Sequence, residues 1–539
     1  MTMTPPRFAL LRRVTCLACF GLALVAATPR ADAQISLLQQ TVAEATMGDE
    51  SLASFYRDRG FEPLWAGADA ASLERRSALL AAMAQTTAHG LPSWQGEIDA
   101  LLAELRAAQT LTERGRAEVA VSRAYLKFAR ALQTGILEPG RVVRDIRREV
   151  PYRSADELLM LVADNPPRSA MRKLSPATRE YARLMREKFT LERRIARGGW
   201  GPQVPSGKYE RGMSGPGVIA LRNRLIAMDY LAPTARAGFD STMHDAVELF
   251  QADHGLIVDG IVGGDTLRAM NVDADERLRS VLVAMERERW MNLPGGLGKR
   301  HIRVNLPEFM ARVYDDDKLT FETRAVIGAR GDDRESPEFS DEMEHMVVNP
   351  SWYVPRSIVV NEYLPLLRQN PYSVGHIEIT DSRGRRVNRA AGFSQYGPQS
   401  FPFSMRQPPG PKNALGQVKF MFPNRYNIYL HDTPSQHLFA DDVRAYSHGC
   451  IRLDDPYDLA YVLLAPQSDD PKGLFQSRLR GGRESRIDLE THVPVHLMYR
   501  TAYTTPKGHV QYRHDIYGRD AAIWRALERA GVSLEVGRS

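Results

Sequence analysis

Near its C-terminal end the chain reads Tyr446-Ser447-His448-Gly449-Cys450-Ile451-Arg452, and His431 lies nineteen residues upstream of the cysteine. A thiol is a useful nucleophile near neutral pH only when a neighbouring base or dipole favours the thiolate. His431 and His448 are both candidates for that base. Gly449 permits the close backbone approach that an oxyanion hole made of amides around Cys450 requires. The stretch therefore predicts a nucleophilic cysteine, and the alternative is a buried, inert one.

The first 33 residues have the pattern of a secretory signal peptide. Arginines at the start precede an uncharged run over residues 14–29 and then Ala31-Asp32-Ala33, which fits a cleavage site. The run is shorter than the about 18 residues that a spanning helix needs, so a retained membrane anchor is the less favoured alternative. Cys16 and Cys19 both lie in this segment. Cleavage therefore leaves Cys450 without a partner for an internal disulfide.

The composition argues against some classes of function. The whole chain carries a net charge of +6, and residues 1–33 contain four arginines and one aspartate, so cleavage lowers the net charge to +3. That balance gives no case for nucleic acid or a strongly anionic surface as a partner. With 539 residues, 43% of them hydrophobic, the chain is long enough for about three domains. No segment after residue 33 predicts a membrane span.

Residues 34–205 predict a helical scaffold domain. The segment is rich in Leu, Ala, Arg and Glu, and apolar residues recur three and four positions apart, as in Leu79, Leu80 and Met83. Breaks such as Gly90-Leu91-Pro92 divide it into separate helices. No cluster of residues in this segment requires chemistry.

Residues 206–273 predict a compact three-helix unit. An apolar stripe marks the first helix, Asp259-Gly260 marks a turn, and residues 263–266 open the third helix. Most positions of the pattern set turns and core, so we interpret His254 as a structural residue rather than a ligand. The unit resembles the three-helix peptidoglycan-binding domain at Phe250, Gln251, His254, Gly255, Leu256, Asp259, Gly260, Gly263 and Thr266.

Residues 274–539 predict a mostly β domain. Short runs bounded by Gly, Pro and Asp turns predict strands at 301–304, 310–314, 324–327, 345–348, 418–420, 428–430, 493–503 and 510–513. The strand pattern lapses between residues 356 and 411 into a helix-like stretch and a loop rich in Gly, Pro and aromatic residues. The aromatic-rich loop 392–410 is expected to act as a lid over Cys450. The alternative is an ordered loop whose aromatic residues fill a core. These aromatic residues are Phe393, Tyr396, Phe401 and Phe403.

His431 followed, after fifteen residues, by Ser447-His448-Gly449-Cys450-Ile451-Arg452 resembles the signature of the L,D-transpeptidase catalytic domain. Further matching segments lie at 285–287, 304–307, 326–328, 349–352, 354–358, 413–416, 422–424 and 431–434. Together they resemble the large, multi-domain Gram-negative branch of that family. The resemblance implies a helical scaffold, a peptidoglycan-binding domain and a mostly β catalytic domain with a capping insertion at about 358–411. One departure is Ser336, where the branch more often has threonine; we expect it not to touch the chemistry.

The resemblance implies roles for individual residues. Cys450 is the nucleophile, His431 the general base, Gly449 part of the oxyanion hole, and His448 either a supporting catalytic group or a packing residue. The guanidinium fork of Arg452 suits a substrate carboxylate. The alternative for Arg452 is a surface salt bridge to Asp454 or Asp455. No cofactor or metal is implied. The substrate-binding residues implied are Arg452, Ser447, Trp352 and Tyr429.

By resemblance, the substrate is a peptidoglycan stem tetrapeptide in the periplasm. Cys450 forms a thioester at the L-centre of the third residue and expels D-alanine. The side-chain amine of a second stem then resolves the thioester to a 3-3 cross-link. Carbapenem-type inhibitors are expected to acylate the same thiol. The sequence does not fix the acceptor amine, any partner enzyme or the oligomeric state.

Three alternatives stay open. A thiol-dependent L,D-carboxypeptidase or other peptidoglycan hydrolase would act on the same substrate with water as the acceptor. A zinc enzyme would use His431, His437, His448 and Cys450, although their spacing matches no common zinc motif. A wall-binding protein without catalysis would have no need of the thiol.

Overall fold

The computed structural model describes residues 36–331, 333–505 and 509–534. Residues 1–33, interpreted as a signal peptide, lie outside these ranges. Within them, no helix combines the length and the apolar character needed to cross a membrane. The described residues form a helical scaffold, a three-helix unit and a β domain that carries a cap.

The scaffold is built from helices that pack around α5, whose inward face is buried along its length. Glu118 on α5 is fully buried, and its carboxylate accepts the amide N–H groups of Leu64, Trp65 and Ala66 and the hydroxyl of Tyr56. A buried carboxylate must be paired. These bonds therefore hold the loop between α2 and α3 against α5. The helices are α1 (Leu37–Ala45), α2 (Glu50–Asp58), α3 (Ala70–Met83), α4 (Gln95–Ala107), α5 (Leu111–Thr134), α6 (Pro139–Val142), α7 (Ala155–Asp164), α8 (Pro167–Arg172) and α9 (Arg179–Ala196).

The small unit contains α10 (Pro216–Ala227), α11 (Ser241–Asp253) and α12 (Gly264–Met270). The side chain of Gln251 accepts the amide N–H of Gly260 and donates to the hydroxyl of Thr266, which ties the turn and α12 to α11. His254 donates from Nδ1 to the carbonyl of Phe250 at 2.8 Å and stacks on its ring. These motif residues therefore set the turn and the core, and His254 has the structural role that we predicted.

The β domain contains a sheet of nine strands among the described residues, in the order β10-β3-β11-β9-β8-β4-β12-β1-β2. β2 also pairs with β3, so the sheet closes on itself. Helices α16 (Pro456–Leu464) and α17 (Pro471–Arg480) contribute to its core. The strands are β1 (Arg300–Asn305), β2 (Met310–Asp315), β3 (Lys318–Gly328), β4 (Phe339–Val348), β8 (Val418–Met421), β9 (Leu430–His431), β10 (Ala445–Ser447), β11 (Ile451–Leu453) and β12 (Ser485–Met498).

The cap has its own three-stranded sheet, in the order β5-β7-β6. It starts at Trp352, before the predicted residue 358, because β5 pairs with β7 across the insertion. Phe393 and Phe401 are buried in the cap core, and Tyr396 and Phe403 pack against them. The structure thus favours the alternative in which the aromatic residues fill a core. The elements are β5 (Trp352–Tyr353), α14 (Arg356–Ile358), a π-helical turn (Val359–Tyr363), α15 (Leu364–Gln369), β6 (Glu378–Thr380) and β7 (Ser404–Gln407).

One long helix, α13 (Ala274–Trp290), joins the units. It packs along α9 and also contacts β13 (Ala502–Thr504) and α18 (Arg519–Arg529). Arg287 on α13 forms buried ion pairs with Glu338 and Asp520. The predicted boundary at residue 274 places this helix in the β domain. Its apolar side chains share a core both with residues of the scaffold and with the C-terminal elements of that domain.

Some predicted strands differ from the observed ones. β4 begins at Phe339 rather than at 345, and the predicted strand 493–503 divides into β12 and β13. β13 pairs with β14 (Val510–Tyr512) in a separate two-stranded sheet. β10 and β11, which flank Cys450, are three residues long each and were not among the predicted strands.

Candidate active site

Cys450 lies in the tight turn between β10 and β11. β11 runs between β3 and β9, and its first residue, Ile451, donates its amide N–H to the carbonyl of Tyr429 at 3.1 Å. Arg452 pairs with His431 in parallel register. The predicted nucleophile and the predicted base therefore lie on neighbouring strands whose register is fixed by the ladder.

Strand alternation gathers the polar side chains of this region on one face. Phe420, Leu430 and Ile451 form a row across β8, β9 and β11, and all three are fully buried in the sheet core. Successive side chains of a strand point to opposite faces, so the adjacent row points away from this core. That row consists of Lys419, His431 and Arg452, and Tyr429 and Cys450 continue it on the same face.

The thiol of Cys450 is partly buried and protonated near neutral pH. It donates to the carbonyl of Asn427 at 3.4 Å. Burial raises the pKa of Cys450 to about 11, although hydrogen bonds from Tyr429 and the positive charges of Arg452 and Lys419 act in the opposite direction. Formation of the thiolate therefore needs a proton acceptor at the moment of attack.

His431 is a buried, neutral imidazole. Burial, followed by the positive charge of Arg452, lowers its pKa to about 3. Nδ1–H donates to the carbonyl of Asp432 at 2.5 Å, which fixes the tautomer and leaves Nε2 as the proton acceptor. Among the described contacts the thiol of Cys450 bonds to Asn427 and not to His431. In this geometry the thiol is therefore not hydrogen-bonded to the imidazole.

Gly449 and Ser447 shape the turn before Cys450. Gly449 has φ of +106°, and a Cβ added there would lie 3.1 Å from Cδ1 of Ile428. The hydroxyl of Ser447 accepts the amide N–H of Gly449 and donates to the carbonyl of Cys450. Both ends of that hydroxyl are thus engaged inside the turn. Ser447 thus holds the turn in shape, and its predicted contact with substrate stays a prediction.

Ser336 contacts this turn directly. Its hydroxyl accepts the amide N–H of Gly328 at 2.9 Å and donates to the carbonyl of Gly449 at 2.7 Å. Arg519 in turn donates to the carbonyl of Ser336 at 2.8 Å and forms an ion pair with Glu338. The loop after β3 thus folds under the Cys450 turn, and the expectation that serine in place of threonine here does not touch the chemistry stays a prediction.

His448 points toward the cap. Its Nε2–H donates to Oε1 of Glu362, in the π-helical turn of the cap, at 2.5 Å. Trp352 is buried in the core of the cap, where its ring meets the edge of Tyr363. His448 therefore lies at the junction of cap and sheet, and Trp352 lies inside the cap. Tyr429 is partly buried and packs against both cores.

The side chain of Arg452 makes no hydrogen bond or ion pair within the described residues, and its Nε is buried without a partner. The predicted alternative, a salt bridge to Asp454 or Asp455, is wrong: Asp454 pairs with Arg324 at 2.6 Å, and Asp455 bonds to Thr323. Arg452 therefore stays on the face of the sheet that carries Cys450.

The residues of the zinc alternative do not come together. His431, His437, His448 and Cys450 form no group with converging ligand atoms among the described residues. A group of that kind does occur on α11, at His244, Asp245 and Glu248, in the small helical unit.

Three residues near the candidate site were not predicted from the sequence as site residues. Lys419 sits opposite His431, Ser336 supports Gly449, and Glu362 contacts His448. The alternating pattern of 418–420 did mark Lys419 as facing away from a core. Nothing local could relate Ser336 or Glu362 to a turn that lies about a hundred residues away in the sequence.

Comparison with known proteins identifies three domains. Residues 299–471 match the family model of the L,D-transpeptidase catalytic domain, residues 50–187 match a model described as "Scaffold domain", and residues 214–270 match one described as "Putative peptidoglycan binding domain". A protein of Haemophilus influenzae named "Putative L,D-transpeptidase" is 33% identical over 226 residues. This match covers 41% of the chain and 45% of the relative, so it spans less than half of that protein.

Two solved structures share the L,D-transpeptidase name. The one from Xylanimonas cellulosilytica is 16% identical, with coverage of 55% of this chain and 98% of that chain and a TM-score of 0.16. The one from Stackebrandtia nassauensis is 13% identical, with coverage of 55% of this chain and 97% of that chain and a TM-score of 0.21. Scores this low add no support to the sequence match. The match over 299–471, the β-rich fold of that region and the turn around Cys450 establish that the chain carries an L,D-transpeptidase catalytic domain, preceded by a helical scaffold and a peptidoglycan-binding domain.

Proposed function

We propose that this chain is a periplasmic L,D-transpeptidase that joins peptidoglycan stem peptides by 3-3 cross-links through a thioester on Cys450. The observation that carries the proposal is the shared sheet face. It presents a thiol, a neutral imidazole and two cations together, in a domain of the matching family. A non-catalytic wall-binding protein would have no use for this arrangement.

The reaction begins when Sγ of Cys450 attacks the carbonyl carbon between the third residue of the donor stem and its terminal D-alanine. Nε2 of His431 accepts the thiol proton during the attack. It then passes that proton to the amide nitrogen as the carbon–nitrogen bond breaks, so D-alanine leaves as the amine and the acyl group stays on sulfur. An acceptor amine attacks the thioester and loses its proton to Nε2. The carbon–sulfur bond breaks, and the thiol recovers a proton from His431.

The pKa values favour proton transfer coupled to attack over a preformed ion pair. With the pKa of Cys450 at about 11 and that of His431 at about 3, both groups are neutral in the resting enzyme. Backbone amides of the Cys450 turn can stabilise the oxyanion. The amide of Gly449 already bonds to Ser447, which leaves the amide of Cys450 as the donor closest to the reacting sulfur.

The test is intact mass spectrometry with a donor tetrapeptide and with a carbapenem. We expect an adduct on Cys450 and release of D-alanine, followed by cross-linked product when an acceptor stem is added. The Cys450→Ser variant should give neither adduct. A product made only with water identifies a hydrolase, and full activity of Cys450→Ser contradicts the mechanism.

We also infer the roles of the other domains and the location. The 206–273 unit supplies affinity for the cell wall. Its deletion should weaken binding to isolated sacculi, while Cys450 of a folded truncation still reacts with a carbapenem.

Export should leave a mature N-terminus at or near Gln34, measured by mass spectrometry of protein from the native host. A full-length cytoplasmic form contradicts export.

A further inference from the structure

Two cations on the active face have no counter-ion. The side chains of Lys419 and Arg452 each lack a hydrogen bond or ion pair within the described ranges, and burial lowers the pKa of both. Nζ of Lys419 lies over the ring of Tyr429, 5.7 Å from its centroid. Glu484 acts on Lys419 only through space, because its carboxylate is engaged with the amide of Ser351.

Elsewhere in the described part of the chain, buried arginines bond to carboxylates or, as for Arg148 and Arg277, donate to carbonyl or hydroxyl oxygens. Arg289 bonds to Glu286 at 2.6 Å, Arg287 to Glu338 at 2.6 Å, and Arg519 to Glu338 at 3.1 Å. A desolvated cation without a partner is unfavourable, because its lost hydration is not replaced. Two such cations in one row, with Nε of Arg452 buried and unsatisfied, indicate an anion that is supplied from outside the chain.

The register brings the two cations within reach of one anion. Lys419 lies opposite His431 on one side and Arg452 lies opposite it on the other. Neighbouring strands are about 4.8 Å apart, so the outer backbones of the row are separated by about 10 Å. The long side chains of lysine and arginine can both reach a group placed above His431, and a carboxylate can accept bonds from both.

We propose that Lys419 and Arg452 together form a subsite for a carboxylate of the peptide substrate. The inference rests on the proposed function and extends it, because Lys419 becomes a specificity-determining residue. The terminal carboxylate of the donor is separated from the scissile carbonyl carbon by only one nitrogen and one α-carbon. It can therefore occupy the subsite while that carbonyl lies at Cys450. A donor whose third residue carries a carboxylate on its side chain offers the same chemistry from a second position.

The subsite also couples recognition to catalysis. The positive charges of Arg452 and Lys419 oppose protonation of His431. A carboxylate bound between them offsets those charges at the stage when Nε2 must accept the thiol proton. A substrate that lacks the carboxylate therefore loses both binding and assistance to the base.

The experiment compares three donor tetrapeptides: unmodified, amidated at the terminal carboxylate, and amidated at the side-chain carboxylate of the third residue. The measured quantity is kcat/KM for release of the C-terminal residue by the wild type and by the Lys419→Met, Lys419→Arg and Lys318→Met variants. Lys318 is an exposed lysine of the same domain outside the site and serves as the matched control. Alkylation of Cys450 by iodoacetamide, an uncharged reagent, checks that each variant folds with an accessible thiol.

We expect amidation of one of the two carboxylates to lower kcat/KM of the wild type by about 10- to 100-fold. Lys419→Met should lose most of this discrimination, whereas Lys419→Arg and Lys318→Met should keep it. The carboxylate whose amidation matters identifies the bound group. If thioester forms but amidation of either carboxylate has the same effect in wild type and Lys419→Met, the subsite is wrong and the proposed function stands. If the wild type forms no thioester with the unmodified donor, both are wrong.

Discussion

Nε2 of His448 lies 2.5 Å from Oε1 of Glu362, so a hydrogen bond links the turn that carries the nucleophile to the cap. Both side chains are exposed and come from separate parts of the domain, His448 from the turn between β10 and β11 and Glu362 from the π-helical turn of the cap. The bond therefore joins two bodies at the rim of the active face. Because a thioester is open to water, the position of the cap bears on which acceptor reaches it.

Removing this bond should change the products more than the acylation. The Glu362→Gln and His448→Ala variants are expected to lower the ratio of cross-linked to hydrolysed product by about two- to fivefold, since the pair is half-exposed. The double variant should match the single ones, because both remove one interaction. Arg386→Gln, which breaks an exposed ion pair inside the cap, is the control. Unchanged product ratios in all variants would show that the bond does not position the cap.

Alkylation of Cys450 by iodoacetamide should accelerate with pH up to about 11. The pKa of the thiol is raised, so the thiol form persists below about 11 and the rate should rise about tenfold per pH unit from neutral pH. His431→Ala should leave this profile nearly unchanged, because the imidazole is neutral there, yet slow acylation by substrate by about 10²- to 10⁴-fold. A plateau in alkylation near pH 7 would contradict a protonated resting thiol.

Ser336→Ala should weaken both the fold and the reaction. The change leaves the carbonyl of Gly449 and the amide of Gly328 without their buried partner, which costs about 1–3 kcal/mol. We expect a lower Tm and slower carbapenem acylation of Cys450. Ser336→Thr keeps the hydroxyl and should restore the acylation rate. Equal acylation rates for the Ala and Thr variants, in folded protein, would assign Ser336 to stability alone.

Docking of α11 on β14 should weaken as pH rises. The hydrogen bond from His509 to Asp253 raises the pKa of His509 above its ordinary value of about 6.5. The stabilising contribution is therefore complete below about 6.5 and is lost as pH rises through the higher pKa of the folded state. Hydrogen exchange of 509–512, corrected for its intrinsic pH dependence, should show less protection at pH 9 than at pH 6. His509→Gln should abolish the difference, and its persistence in that variant would exclude His509 as the cause.

Sequence could predict the site's chemistry but not its geometry. Cys450 and His431 follow from a local motif, and β8 and β9 from alternation. The row Lys419, His431, Arg452 depends on pairing between strands that are far apart in sequence, which no local pattern encodes. The aromatic loop shows the same limit: Phe393 and Phe401 fit a lid or a core equally well, and the existence of a separate sheet around Trp352 decided between them.

The burial of the Cys450 thiol also bears on how long the enzyme survives. Oxidants and disulfides react with the thiolate, and at a pKa of about 11 roughly one molecule in ten thousand carries it at pH 7. In the oxidising compartment proposed for this protein, the sulfur is thereby shielded from sulfenic acid and mixed-disulfide formation between turnovers. This shielding ends when substrate binds, because Nε2 of His431 then accepts the thiol proton. The low thiolate fraction that slows the resting thiol therefore also protects Cys450 from oxidative inactivation.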